Sequence, residues 1–132
     1  MVGSRAGEQK VAMLWEAVGE GKVRCNLCHR RCLIPPGARG FCGVRENING
    51  TLYSLVYGRI TSANLDPIEK KPLFHFYPGS STFSIGTVGC NFRCVFCCNW
   101  VISQEREIIG KRVTPEMLVS LALRYGARGL SY

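Results

Sequence analysis

Between Gly89 and Cys97 the chain places Cys90, Cys94 and Cys97 as C-x3-C-x2-C, with Phe96 just before the third thiol. Thiolates are the usual protein ligands of iron–sulfur clusters, and a cubane presents four iron corners. Three cysteines on one short loop can hold three corners and leave the fourth iron open. An open coordination position separates a reactive metal site from a closed, structural one. The competing readings are a zinc knuckle and a cluster completed by a fourth cysteine, but the spacing is unlike the paired C-x2-C pattern of zinc sites. Cys98, adjoining Cys97, could enter the ligand set only by changing the loop spacing, so it reads as a bystander thiol.

A second group of thiols comes earlier, as Cys25-x2-Cys28-x3-Cys32-x9-Cys42, with a Pro-Pro-Gly turn before Cys42. Four protein ligands leave no open position, so a structural zinc ion and a second, saturated iron–sulfur cluster both fit. Such a centre would also replace apolar core in a segment rich in Arg, Asn and Gly. Cys25-x2-Cys28-His29 matches the c-type haem attachment pattern. Haem attachment implies export, however, and would leave Cys32 and Cys42 without a role. His29 reads as a surface or supporting residue. His75, among Phe74, Phe76 and Tyr77, is either a general acid–base or structural, and the structural reading is preferred.

The elements that must position these thiols are bounded by length: 132 residues suffice for one ordinary domain. A complete barrel of alternating strands and helices needs about 200 or more. The net charge of +8 favours acidic partners, but metal-bound thiolates offset it. Arg24, Arg30, Arg31, Arg39 and Arg45 all lie near cysteines, where thiolate charge is a sufficient explanation, so nucleic acid is not the expected partner. The eight cysteines would suit a secreted disulfide framework. Against that, the opening residues Met1–Glu8 lack the apolar core of a signal peptide, and no apolar run approaches the ~18 residues of a membrane span. Cysteines kept reduced for metal in the cytoplasm is the better reading, with no membrane partner.

Val11, Leu14, Trp15 and Val18 at helical spacing predict a helix over 8–18, stopped by Gly19-Glu20-Gly21. Asn49-Gly50 signals a hairpin, and Thr51–Tyr57 reads as one of its strands. Tyr53 and Tyr57 share a face and serve for packing or for base stacking. Asp66–Pro72 reads as a proline-bounded link too polar for core. Thr82–Val88 reads as a strand, so the C-x3-C-x2-C loop leaves a strand's C-terminal end, where α/β folds place their chemistry. Thr114 and Pro115 start a helix whose buried stripe is Leu118, Leu121, Ala122 and Tyr125, ended by Gly126. Arg128–Tyr132 begins another strand, which completes one βαβ unit. The expected organisation is an N-terminal helix over 1–24, a Cys-rich metal-binding α+β region with hairpin and Pro-rich link over 25–81, and the first βαβ unit of a parallel α/β barrel over 82–132.

The C-x3-C-x2-C loop closely resembles the cluster motif of the radical S-adenosylmethionine (SAM) superfamily. More of the chain, from about residue 10 onward, resembles the radical SAM component of the AmmeMemoRadiSam system, which is pyruvate formate-lyase activating enzyme-like. The segments that carry the likeness are CNLCHRRC with GFCGVREN, YGRITSANLDPIEKKPLFHFYPGS, SIGTVGCNFRCVFCCNW and YGARGLSY. The resemblance implies that Cys90, Cys94 and Cys97 bind a [4Fe–4S] cluster whose open iron chelates SAM. It also implies reductive cleavage to methionine and a 5′-deoxyadenosyl radical, which abstracts hydrogen from a protein, peptide or small substrate in the manner of glycyl-radical activators. A flavodoxin or ferredoxin is the implied reductant. The family usually has Gln where this chain has Cys98, a departure that changes polarity beside the cluster and not its ligation. Family members continue through further strands and helices, so the resemblance implies an N-terminal fragment that alone cleaves SAM poorly or not at all. Two other functions stay open: an electron-transfer or structural iron–sulfur protein, and a zinc-binding module that uses Tyr53, Tyr57 or Trp100 on nucleic acid.

Overall fold

The structure, a computed structural model, describes residues 10–132, and the chain divides into two compact units. The first combines the residues up to Tyr57 with Val88–Ile108; the second combines Gly58–Thr87 with Ile109–Tyr132.

The first unit contains six short strands: β1 (Lys10–Val11), β2 (Trp15–Ala17), β3 (Val23–Cys25), β4 (Leu33–Ile34), β5 (Arg45–Ile48) and β6 (Thr51–Ser54). They form two antiparallel sheets, ordered β1-β6-β5 and β2-β3-β4. Asn49 and Gly50 both take positive φ, 51° and 83°, and so close the β5–β6 hairpin as their types predict. Asn47 is fully buried and ties the hairpin to its surroundings. Its Oδ1 accepts from Gly50 N (2.9 Å), and its Nδ2 donates to Gly21 O and Ile34 O (2.8 Å each). Around it Ala12, Val23, Cys25, Ile34 and Leu52 make the core, with Trp15, Cys32 and Ala38 packed against them. One short helix, α1 (Trp100–Ser103), belongs to this unit.

The N-terminal helix expected over 8–18 is absent from the described residues, since 10–11 and 15–17 are strands; residues 8 and 9 lie outside the described part. The backbone there is taken up by neighbouring chain. Ala12 N donates to Leu52 O, and Leu14 O accepts from Asn26 N, each at 2.8 Å. Leu14 has φ +56°, which no right-handed helix contains. The periodic apolar positions serve two sheets rather than one helical face, a tertiary override of local pattern. Between residues 25 and 57 the regular elements are strands, the end of β3 with β4, β5 and β6, joined by turns.

The second unit contains β7 (Arg59–Ile60), β8 (Ser62–Pro67), β9 (Ser81–Gly86), β10 (Lys111–Arg112), α2 (Pro115–Arg124) and β11 (Gly129–Ser131). β7 pairs with β10; the other three strands are ordered β11-β9-β8. β9 and β11 are parallel, Gly129 opposite Thr82 through Ser131 opposite Ser84, with α2 in the connection between them. Arg128 N donates to Ser81 O (2.8 Å), the contact that leads β11 in beside β9. Thr114 Oγ1 accepts from Met117 N (3.2 Å) and Pro115 opens α2, as the sequence predicts. The predicted stripe is only partly covered: Ala122 is buried, Leu118 and Leu121 half-buried, and Tyr125 exposed, although its ring stacks on Phe83 at 6.1 Å.

The proline-bounded link is also revised. Asp66 and Pro67 end β8, which runs antiparallel to β9, and Ile68 is buried at the head of a 3-10 turn, Ile68–Lys70. Asp66 escapes the usual penalty on a buried carboxylate because Lys70 Nζ (2.9 Å) and Lys71 Nζ (3.2 Å) donate to its two oxygens. The Lys70 bond, with further bonds from Ser84 and Lys71, holds its carboxyl well below the usual carboxylate range.

Candidate metal-binding site

The chain leaves β9 at Gly86 and enters an irregular loop whose base is pinned by one bond: Gly89 N donates to Ile102 O (2.9 Å). Everything from Cys90 to Val101 lies beyond that neck. Gly89 has φ +86°, and a Cβ there would lie 2.5 Å from Val44 Cγ1 and 2.6 Å from Cys42 O. Only glycine lets the backbone come that close.

Beyond the neck the backbone makes turns and no ladder. Cys97 N donates to Cys94 O (3.3 Å), and Trp100 N to Cys97 O (3.2 Å). Cys90 and Cys97 are half-buried and Cys94 exposed, all three as free thiols. Each of the two half-buried sulfurs has a donor at hand. Phe92 N–H donates to Cys90 Sγ (3.4 Å), and the buried Ser103 Oγ lies 3.5 Å from Cys97 Sγ. Gln104 Nε2 donates to Ser103 Oγ (2.9 Å), which leaves the serine proton free to point at the sulfur or at Trp100 O (3.5 Å). Phe92, Val95, Phe96, Trp100 and Val101 are exposed along the loop, an apolar surface of the kind that lines a water-poor site once covered.

Arginine organises the loop, and not through the thiols. Arg93 Nη1 donates to Cys90 O (2.8 Å) and Phe92 O (2.7 Å), while its Nη2 donates to Phe41 O (2.9 Å). The Phe41 ring lies under two guanidinium groups, Arg93 at 4.3 Å and Arg30 at 3.4 Å, and Arg30 Nε donates to Asn91 O (2.6 Å). Phe41 adjoins Cys42, and Arg30 lies between Cys28 and Cys32. The two cysteine groups are therefore joined through an aromatic ring that two guanidinium groups share. The expectation that arginines near cysteines answer thiolate charge fails for two of the five residues named for it, which have carboxylate partners, and a third bonds a neutral amide. Arg24 pairs with Glu16 (3.7 Å), Arg39 with Glu46 (2.8 Å), and Arg31 donates to Asn26 Oδ1 (3.0 Å). Phe41, Arg93, Ser103 and Gln104 were not singled out by the sequence; only the position of Arg93 inside the C-x3-C step hinted at a role.

The earlier group sits on strand ends and turns. Cys25 ends β3, and its N donates to Cys32 O (2.9 Å), which sets the two thiols opposite each other across the β3–β4 ladder. Arg31 N donates to Cys28 O (3.2 Å) in the intervening turn, and Gly43 N to Gly40 O (2.9 Å) in the turn that carries Cys42. His29 is exposed, as are Cys98 and, in the second unit, His75.

All eight cysteines are free. Among the described residues no three His, Cys, Asp or Glu side chains are already gathered where a single metal ion would be held. A cubane makes no such demand, since its thiolates sit on separate irons. The donor set at Cys90, Cys94 and Cys97 fits a cluster by its chemistry: three reduced thiols on irregular backbone, with hydrogen-bond donors to two of them.

No helix among the described residues is long and apolar enough to cross a membrane. Two curated proteins of Methanocaldococcus jannaschii are similar to this chain. Uncharacterized protein MJ0808 is 53% identical over 123 residues, 92% of this chain and 37% of that protein. Uncharacterized protein MJ0674 is 35% identical over 81 residues, 61% of this chain and 19% of that protein. The chain thus spans well under half the length of either. No protein-family model matches it, and no solved structure does.

Proposed function

We propose that this chain is the cluster-binding segment of a radical SAM enzyme, with Cys90, Cys94 and Cys97 as the ligands of a [4Fe–4S] cluster and the β9–α2–β11 unit as the start of its barrel. The observation that carries the reading is the necked loop itself. Three free thiols at C-x3-C-x2-C spacing lie beyond a one-bond neck, in the connection between two parallel strands. When bound, the cluster supplies the electron that splits SAM to methionine and a 5′-deoxyadenosyl radical. The chain's own part is to hold three thiolates and to tune them. Phe92 N–H donates to Cys90 Sγ, the Ser103 hydroxyl lies within reach of Cys97 Sγ, and bonds of this kind favour the more negative, reduced state. Arg93 fixes the backbone that carries them through three carbonyls.

The whole protein would be an oxidoreductase of the glycyl-radical-enzyme-activating type, working in the cytoplasm on a protein, peptide or small substrate with a flavodoxin or ferredoxin as electron donor. The test is anaerobic reconstitution with iron and sulfide, followed by electron paramagnetic resonance of the reduced cluster with and without SAM. A spectral change on adding SAM supports an open iron. No change, with all four irons already ligated by side chains, would replace this reading by an electron-transfer or structural cluster in which the exposed thiol of Cys98 is the nearest fourth ligand.

A further inference from the structure

We propose that Cys25, Cys28, Cys32 and Cys42 form a closed four-thiolate site for a single zinc ion, separate from the Cys90–Cys97 loop and independent of its cluster. The four thiols are not gathered around one point, but the backbone brings the elements that carry them together. Cys25 and Cys32 face each other across the extension of the β3–β4 ladder, Cys28 stands in the turn between them, and Cys32 Sγ lies 3.8 Å from where a Cβ on Gly40 would be. Gly40 opens the tight turn that carries Cys42, so the fourth thiol comes to the same end of the sheet.

The size of the site favours one ion over a cluster. Directly opposed residues in an antiparallel ladder have Cβ atoms roughly 4.5–5.5 Å apart. Zinc–sulfur bonds of about 2.3 Å in a tetrahedron bring sulfurs to roughly 3.8 Å from each other, a match that a four-iron cube, with thiolates on separate corners, does not make.

A second observation points to a missing negative charge. Arg45 is buried and among the described residues has no carboxylate partner; its guanidinium donates to Met13 O, and its Nε has no hydrogen-bond partner at all. A buried cation left so is costly unless an anion lies near. Arg45 is tied to both halves of the thiol group. Its carbonyl accepts from Gly40 N (2.9 Å), beside Cys32 Sγ, and Met13 precedes Leu14, whose carbonyl accepts from Asn26 N (2.8 Å), next to Cys25. Four thiolates on a divalent ion carry two net negative charges, which is the countercharge the guanidinium lacks.

The experiment uses the full chain with Cys90→Ala, Cys94→Ala and Cys97→Ala together, so that the loop can hold no cluster. Refolded or expressed with zinc, it should retain one zinc per chain by elemental analysis, while Cys28→Ala with Cys42→Ala should lower zinc at least tenfold. Should that second variant fail to fold, alkylation of the unsubstituted chain gives the same answer. With zinc, Cys25, Cys28, Cys32 and Cys42 should be protected by tenfold or more in rate, and Cys98 should react freely. Absence of zinc from the triple variant, equal alkylation of all the cysteines with zinc present, or iron and sulfide held by the four thiols in its place would each overturn the proposal. Failure of the radical SAM reading looks different: the unsubstituted chain would take up zinc and show no SAM-responsive iron.

Discussion

The two groups of cysteines use the same side chain on opposite kinds of backbone. In the earlier group Cys25 belongs to the core, Cys32 packs against that core, and both lie on an extended ladder. In the later group Cys94 is exposed, the backbone makes no ladder bonds, and the residues around the thiols are apolar and turned outward. A ladder fixes sulfurs close together and shuts out further ligands, which suits an ion that holds structure. A necked loop keeps sulfurs on a surface that another molecule can reach, which suits a site that must admit a substrate-like ligand. Chemistry of the ligand atom does not separate the two; the conformation that carries it does.

The sharpest way to break this comparison is to remove one thiol from each group. Cys94→Ala should abolish iron uptake by the loop and any SAM-dependent signal, yet leave one zinc per chain. Cys28→Ala should remove the zinc. Elemental analysis of the two proteins side by side reads both, and loss of zinc in Cys94→Ala would mean that the two groups are one site.

Next in size is the neck. Gly89→Ala places a Cβ against Val44 Cγ1 and Cys42 O, at a φ of +86°. The backbone conformation alone costs about 1–3 kcal/mol for a residue with a side chain, and a carbonyl oxygen cannot swing aside as a side-chain tip can. Chemical denaturation should show a loss of at least that size, with reduced iron per chain after reconstitution. Unchanged stability would mean that the loop can leave the Cys42 turn without cost.

Phe41→Ala tests how the groups are linked. Removing the ring takes away the surface beneath both Arg30 and Arg93. Cation–π contacts at exposed sites are worth about 0.5–1 kcal/mol each, so a loss of about 1–2 kcal/mol is expected. The link predicts slower cluster assembly with zinc content unchanged. Ser103→Ala should be milder in stability, about 1 kcal/mol for one neutral hydrogen bond. Its more telling readout is the cluster potential, which should fall because a donor to Cys97 Sγ is gone; a potential that stays put would mean that the hydroxyl bonds Trp100 O instead.

Much of this is legible in the sequence alone, and the exceptions share a cause. Asn49-Gly50, Thr114-Pro115 and Gly126 mark their turns and caps through local stereochemistry, which needs no partner. The helix expected over 8–18 failed because Ala12 and Leu14 give their backbone groups to Leu52 and Asn26, residues far along the chain. β8 escapes a local reading for the same reason: Asp66 and Pro67 are held extended by pairing with Thr82 and Ser81 of β9, while Lys70 and Lys71 close on the carboxylate. At the site, thiol spacing marks the candidate ligand sets, whereas Phe41, Ser103 and the buried Arg45 acquire meaning only from what folds beside them.

A substitution outside both groups supplies the reference against which the others are read. Asp66 lies in the second unit and is held ionised chiefly by Lys70, then by Ser84 and Lys71. Its carboxyl titrates lower in the folded chain than in the unfolded one, so the native state binds fewer protons there as pH falls. The stabilisation is therefore fully present above the ordinary carboxylate range, near pH 4, and is lost as pH drops through that range toward the depressed folded value. Asp66→Asn should melt below the unsubstituted chain at pH 7, by a margin that narrows as the medium is acidified. Added salt should also narrow it, because Lys70 is largely exposed. Zinc and iron contents should both stay where they were. If either metal falls with Asp66→Asn, general destabilisation would account for metal loss in the other variants, and the contrast between ladder and loop would have to be drawn again from the ratio of the two metals.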